Sequence, residues 1–405
     1  VSVVAPPRPA LTERQARVAV AVLFFTNGAL FANLIPRYPE IKADLGIGNA
    51  AYGLAVVAFP VGALAAGLAA GTLIRRWGSA HVAVVSTVLT GAGLLGAGMA
   101  TSVVLFVAAL FVAGAMDAVT DVAQNAHGLR VQRRYGRSIV NSLHAVWSIG
   151  AVTGGSMAAA AIALGLPREH HLAISATVFA IAAGVAWRFC LPGHDVEPEA
   201  EPDSEDRTGR AGTPMSRPRI AVVLGALVVI AIAGTLVEDA GNSWATLYLA
   251  TSLHAPEALA AAGYVALVGA QFIGRLLGDR LVDRFGQRAV VRAGGFLTAA
   301  GMSLALAVPT VGGTILGFAS AGLGVATLVP AAMHEADRIP GLKHGSGLTI
   351  VSWLMRLGFV LSPPAVGMVA DAAGLRAGLL VVPLAGLLAL LHAGVLRPRA
   401  REPGG

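Results

Sequence analysis

Residues 103–125 read VVLFVAALFVAGAMDAVTDVAQN, and this stretch decides the fold class. Its first 14 residues, Val103 to Met116, carry no charge. Asp117, Asp121 and Asn125 then follow at four-residue intervals. A run of this length matches the roughly 20 apolar residues needed to cross a bilayer core about 30 Å thick. The spacing i, i+4, i+8 puts both carboxyl groups and the amide on one helical face. Lipid rejects such a face, so it must look into protein. The stretch reads as one membrane helix within a bundle.

Similar runs flank it on both sides. Spans are expected at 17–35, 50–73, 80–100, 103–125, 139–164, 170–191, 219–245, 258–281, 289–308, 311–333, 345–370 and 375–396. Hydrophobic residues make up 56% of the 405 and charged residues 13%, against about a quarter charged in a soluble protein. The expected fold class is an all-α membrane protein with twelve transmembrane helices. The single cysteine, Cys190, excludes an internal disulfide and reads as a packing residue. No zinc-type ligand spacing occurs. No cleavable-signal pattern precedes the first run, which is expected to be a retained helix.

The net charge of +7 invites a nucleic-acid reading, but the positions of the charges argue against it. With the N-terminus taken as cytoplasmic, 24 of the 29 basic residues fall in cytoplasmic segments. Only Arg37, Lys42, Arg168 and Arg376 fall outside, and Arg356 lies within a span. This is a positive-inside distribution, with both termini cytoplasmic and an even number of spans. No nucleic acid is expected as a partner; the partners are the bilayer, protons and a small solute.

Residues 192–218 break the apolar pattern with seven acidic side chains, several arginines and scattered prolines. They read as a linker between two halves, 1–191 and 219–396, with a tail at 397–405. The halves repeat. Leu73-Ile74-Arg75-Arg76-Trp77-Gly78 corresponds to Leu281-Val282-Asp283-Arg284-Phe285-Gly286, an offset of 208 residues. The same offset pairs Gly114 with Gly322 and Ser138 with Ser346. Parallel repeats of six spans are a transporter architecture, with the solute site between the repeats near the midplane.

On these residues the chain resembles the major facilitator superfamily over nearly its whole length. Gly278 to Arg288 matches that family's loop motif, with Asp283, Arg284, Gly286 and Arg288 in place. The first copy departs from it, with Arg75 where an Asp is usual and Ser79 where a basic residue is usual. A closer resemblance is to the fucose-permease-like branch. It rests on Pro36-Arg37-Tyr38-Pro39-Glu40-Ile41, Asp121-Val122-Ala123-Gln124-Asn125, His144-Ala145-Val146-Trp147-Ser148-x-Gly150, Glu238 with Trp244 and Tyr248, and Gly274-Arg275-x-x-Gly278-Asp279-Arg280. The resemblance implies two pseudo-symmetric bundles, alternating access, and a central cavity lined by spans four and seven.

Ionisable residues inside spans need a reason, at about 2.5–3.5 kcal/mol each on insertion scales. Asp117 and Asp121 repel each other on a desolvated face, which suits reversible protonation; the alternative is a structural hydrogen bond or ion pair with the Arg130–Arg137 loop. Glu238 joins them as a candidate for proton coupling. It also shares a face with Asn242, and with Trp244 could hold a polyhydroxylated solute. The alternative places Glu238 and Asp239 at a partly wet outer mouth. Arg356 should pair with a carboxylate such as Glu238 or Asp117, or bind an anionic solute group. Gln271, Asn125, Asn27 and Asn33 complete the candidate binding set. Arg76, Gly78, Arg275, Asp279, Asp283, Arg284 and Gly286 are expected to gate the molecule through an inter-helix charge network. His144 and Trp147 read as packing residues.

The expected function is proton-coupled movement of a small polar solute, sugar-like by resemblance, across the cytoplasmic membrane. It would be driven by the proton gradient, without a cofactor, by a monomer. A proton-antiporting drug exporter is the rival. Its span-five Gly-Pro-x-x-Gly-Gly signature is missing, although Gly150, Gly154 and Gly155 are present. No Walker-type phosphate loop occurs. His334-Glu335 lacks the second histidine of a metalloprotease, so an enzyme is not expected. A non-transporting sensor on the same fold is the remaining class.

Overall fold

The structure is a computed structural model that describes residues 11–136, 139–193, 216–342 and 346–396. Among these, twelve helices are long and apolar enough to cross a membrane. In chain order they are Thr12–Asp44, Asn49–Gly67, Ser79–Gly98, Val103–Tyr135, Ser142–Ala163, Arg168–Trp187, Arg217–Thr251, Glu257–Phe285, Gln287–Ala307, Val311–Ala336, Ser346–Ala373 and Leu375–Val395, called spans one to twelve. No strand occurs among the described residues. The helix of span two continues through Ala58–Trp77.

Several helices outrun the expected spans. Span four has 33 residues and span seven 35, roughly 50 Å each at 1.5 Å per residue. Hydropathy marks only the lipid-crossing part, and the polar ends carry on as helix. The outward faces are apolar, as lipid requires: Val104, Leu105 and Phe111 of span four are exposed.

The chain divides into two compact units, Val1–Gly46 with Ala58–Glu199, and Ile47–Val57 with Ala200–Gly405. The start of span two thus belongs to the second unit. There the backbone N–H groups of Asn49 and Ala50 donate to the Asp371 carboxylate at 2.8 Å each. Tyr52 donates its hydroxyl to the Ser243 carbonyl at 2.9 Å. Residues 194–215 and 397–405, most of the expected linker and the whole tail, lie outside the described residues.

Each unit repeats the other's backbone devices at the 208-residue offset. Gly78 and Gly286 have φ of 80° and 84° and open the helices of spans three and nine. Such φ values favour glycine. A Cβ on Gly114 would meet the Phe59 carbonyl oxygen, and one on Gly322 that of Leu267. Phe59 and Leu267 are also 208 apart. Small residues let membrane helices approach to this distance. The side chains just before Gly78 and Gly286 match too: Arg76 lies over the Trp77 ring at 5.5 Å and Arg284 over Phe285 at 5.3 Å.

Cys190 packs against the apolar cluster that contains Leu23, Ala83 and Ala186. Burial pushes its thiol up to about 12, as expected of a packing residue.

Span eleven is interrupted. Ser346–Leu354 and Arg356–Ala373 are separate helical segments joined at Met355. The Met355 carbonyl accepts the Thr235 hydroxyl of span seven at 2.8 Å. This bond ties the interruption to span seven one helical turn before Glu238.

Candidate functional site

In the first unit, spans one, four and five meet at Asn27. Its amide nitrogen donates to Asp117 Oδ1 at 2.7 Å. Its amide oxygen accepts from Trp147 Nε1 at 2.9 Å and Gln124 Nε2 at 3.3 Å. Two donors on the oxygen leave the nitrogen to face the carboxylate, so the amide's orientation follows from its neighbours. Gln124 Nε2 also reaches Asp121 Oδ1 at 3.3 Å. Asn125 Nδ2 donates to the same oxygen at 3.0 Å and to the Asp121 carbonyl at 2.8 Å. Asn27 and Gln124 are buried, and Asp117 is half-buried.

The stripe expected on span four is therefore one hydrogen-bonded group. Among the described residues, Asp117 takes a neutral amide and not an arginine of the following loop. Arg130, which lies on the helix of span four and not in a loop after it, instead donates to the Gly193 carbonyl at 2.9 Å and to that of Pro192. Two members are additions to the expected set. Trp147, read as packing, is a donor in the group. Gln124 lies three residues from Asp121 and seven from Asp117, a helical spacing that marks it as a neighbour of both.

Asn33 needs a correction. It is fully buried, donates to the Ala29 carbonyl at 2.8 Å and meets His171 Nε2 at 2.8 Å. Its amide joins spans one and six and has no exposed surface to offer a solute. Close by in the sequence, Arg37 pairs with Glu40 at 3.1 Å and donates to the Leu166 carbonyl at 2.6 Å. Arg168 holds Glu40 at 3.3 Å and Asp44 at 2.8 Å. The Pro36–Ile41 segment is thus tied down by a local ionic cluster.

In the second unit, Glu238 of span seven faces span eight. Gln271 Nε2 donates to Glu238 Oε2 at 2.9 Å, and Arg275 Nη2 lies 3.6 Å from the same oxygen. The Glu238 side chain is 19% exposed and that of Arg275 39%. Glu238 therefore pairs with Arg275, not with Arg356 as the sequence allowed. Arg275, expected in the gate, belongs to this group because residues 271 and 275 share a face of span eight. Arg356 is exposed, and its guanidinium makes no ion pair or hydrogen bond among the described residues.

Three further expectations change here. Asp239 is not at a wet mouth: it is buried, with the hydroxyls of Ser243 and Ser362 facing it and Oδ2 without a hydrogen-bond partner. Trp244 is fully buried and edge-on to Tyr52 at 5.1 Å between ring centroids. Its ring packs against protein and offers no open face for stacking on a sugar. Asn242 is half-buried with an unpartnered Oδ1. The expected gate network lacks its acidic members. Asp279 and Asp283 are exposed, and neither joins an ion pair among the described residues. Charges at a solvated helix end gain little from pairing.

Among the described residues no group of three or more His, Cys, Asp or Glu side chains is placed to hold a metal ion. The two polar groups offer carboxyls, amides and guanidinium groups at membrane depth. Chemically, such groups can hydrogen-bond a polar solute or take up and release a proton.

The Major Facilitator Superfamily model matches residues 20–332 and 239–405. The chain belongs to this superfamily. It is a multi-pass membrane transporter and not an enzyme. It is 28% identical over 382 residues to an uncharacterized transporter, y4wD, of Sinorhizobium fredii, covering 93% of this chain and 97% of that one. The fold is shared with the nucleoside transporter NupG at 14% identity and TM-score 0.68, covering 95% and 98% of the two chains. It is also shared with a D-xylose-proton symporter at 15% identity and TM-score 0.71, covering 93% and 96%.

Proposed function

We propose that this transporter moves a small polar organic solute, sugar-like in its hydroxyl content, across the cytoplasmic membrane by proton-coupled alternating access. It acts as a monomer with both termini cytoplasmic and takes its energy from the proton gradient. Asp117 and Asp121 carry the proton, and Glu238, Gln271 and Arg275 contact the solute. The observation that carries this reading is the hydrogen bond from Asn27 to Asp117 at 2.7 Å. Among the described residues, this carboxyl inside a span is held by a neutral amide and by no cation. A carboxyl held by an amide can gain and lose a proton without breaking an ion pair. The fold shared with a D-xylose-proton symporter and a nucleoside transporter supports a hydroxyl-rich solute.

Two experiments test it. Purified protein is heated with neutral sugars, sugar acids or amphipathic cations at two pH values. A ligand at a hundred times its dissociation constant adds about 2.7 kcal/mol of stability. A pH-dependent response to a sugar or sugar acid is expected; a response to the cations alone would turn the reading to drug export. In proteoliposomes, Asp117→Asn and Asp121→Asn should lose proton-driven accumulation and keep solute exchange. Accumulation that survives in both variants removes coupling from span four.

A further inference from the structure

We infer that Arg356 binds a carboxylate carried by the transported solute, so that the cargo is a hydroxylated monocarboxylic acid and not a neutral sugar. The inference rests on the transport reading above and narrows its substrate class. Arg356 is ten residues beyond Ser346, where the helix of span eleven starts. That is about 15 Å from this end of span eleven and about 25 Å from Ala373 at its other end, well inside a span of 28 residues. Arginine keeps its proton in proteins, so it cannot escape by becoming neutral.

Among the described residues no carboxylate pairs with it. Glu238 is taken by Gln271 and Arg275. Asp239 is buried and makes no ion pair among the described residues. Asp371 holds the N–H groups of Asn49 and Ala50 near the other end of span eleven. Arg356 is nevertheless exposed. Lipid rejects a guanidinium at this depth, so the exposed side must be one that water and solute reach.

Placement and charge then select the ligand. The Thr235–Met355 bond holds the backbone just before Arg356 against span seven, three residues from Glu238 along that helix. Glu238 is matched by Arg275, which leaves the Arg356 charge without an ion pair among the described residues. A carboxylate supplies one negative charge, whereas a phosphate monoester brings about 1.5 to 2 at neutral pH. The guanidinium fork matches a carboxylate through two parallel hydrogen bonds. Trp353, three residues before Arg356 and 64% exposed, offers a ring to the apolar face of a sugar-like carbon skeleton.

The test uses the full chain in lipid nanodiscs and matched probes: glucose, glucuronate, glucuronamide, gluconate, lactate and glucose 6-phosphate. At least one of the three carboxylates should stabilise the wild type against heat. Where glucuronate binds, glucuronamide should bind at least about thirtyfold more weakly, the lower end for removing one partner of a buried charge pair. Arg356→Gln should cause a similar loss and Arg356→Lys a smaller one. The amide comparison needs no variant, so a misfolded Arg356→Gln protein does not spoil the test. If glucose stabilises the wild type and Arg356→Gln alike, the acid inference falls and sugar transport stands. If glucose 6-phosphate binds and no carboxylate does, the charge argument is wrong. If no probe binds, the acid inference is rejected, and accumulation assays on Asp117 then judge the transport reading separately.

Discussion

The two halves are built on one backbone plan and carry opposite chemistry. In the first, Asn27 draws Asp117, Gln124 and Trp147 into a group whose hydrogen bonds are donated by amides and an indole. In the second, the position 208 residues on from Asn27 is Thr235, which spends its hydroxyl on backbone carbonyls. Asp117 corresponds to Val325, Gln124 to Ala332 and Ser148 to Arg356. The acid of the second half has moved to Glu238 and acquired Arg275. Glycine contacts such as Gly114 with Phe59 and Gly322 with Leu267 persist because a Cβ there would strike backbone. Polar side chains facing a wet interior are under no such constraint. A repeat of this kind preserves helix approach and lets chemistry diverge, which fits the proposal that one half handles protons and the other the solute.

The largest expected effect separates those two roles. Asp117→Asn should lower proton-driven accumulation by about two orders of magnitude, since a carboxamide cannot carry the proton, and leave solute affinity within a few-fold. Glu238→Gln should do the reverse, weakening affinity about tenfold with coupling retained. Flux and binding measured on both variants decide the matter; uncoupling by Glu238→Gln would erase the division of labour.

Next in size are the matched glycines. Gly114→Val and Gly322→Val should each cost about 3 kcal/mol, the upper range for overpacking, read as loss of thermal stability in detergent. If one is tolerated, the two halves do not share this contact as a structural requirement.

The smallest effect compares the hubs. Asn27→Ala leaves a carboxylate, an indole N–H and an amide short of partners. Thr235→Ala removes one hydroxyl, worth about 1 kcal/mol. Asn27→Ala should therefore be the more destabilising by about 2 kcal/mol, and equal costs would mean that Asn27 is no hub.

The Asp117–Asp121–Asn125 stripe is legible in the chain itself, because helical spacing alone aligns residues on one helix. The lone Arg356 is legible for the same reason: depth follows from counting along a span. Partners on other helices are not. Glu238 chose Arg275 over Arg356, Asn33 was absorbed by His171, and Trp244 was covered by Tyr52. Each outcome depends on how a helix is rotated about its axis and how far it slides past its neighbour.

Composition and periodicity were enough for the membrane, the twelve spans, the 208-residue repeat and the candidate charges. These properties are local in the chain, and the bilayer enforces them residue by residue. Which charges meet, which amides are spent on scaffolding and which guanidinium makes no ion pair among the described residues were decided by tertiary packing. Distances of about 3 Å across helices depend on rotations that hydropathy does not encode.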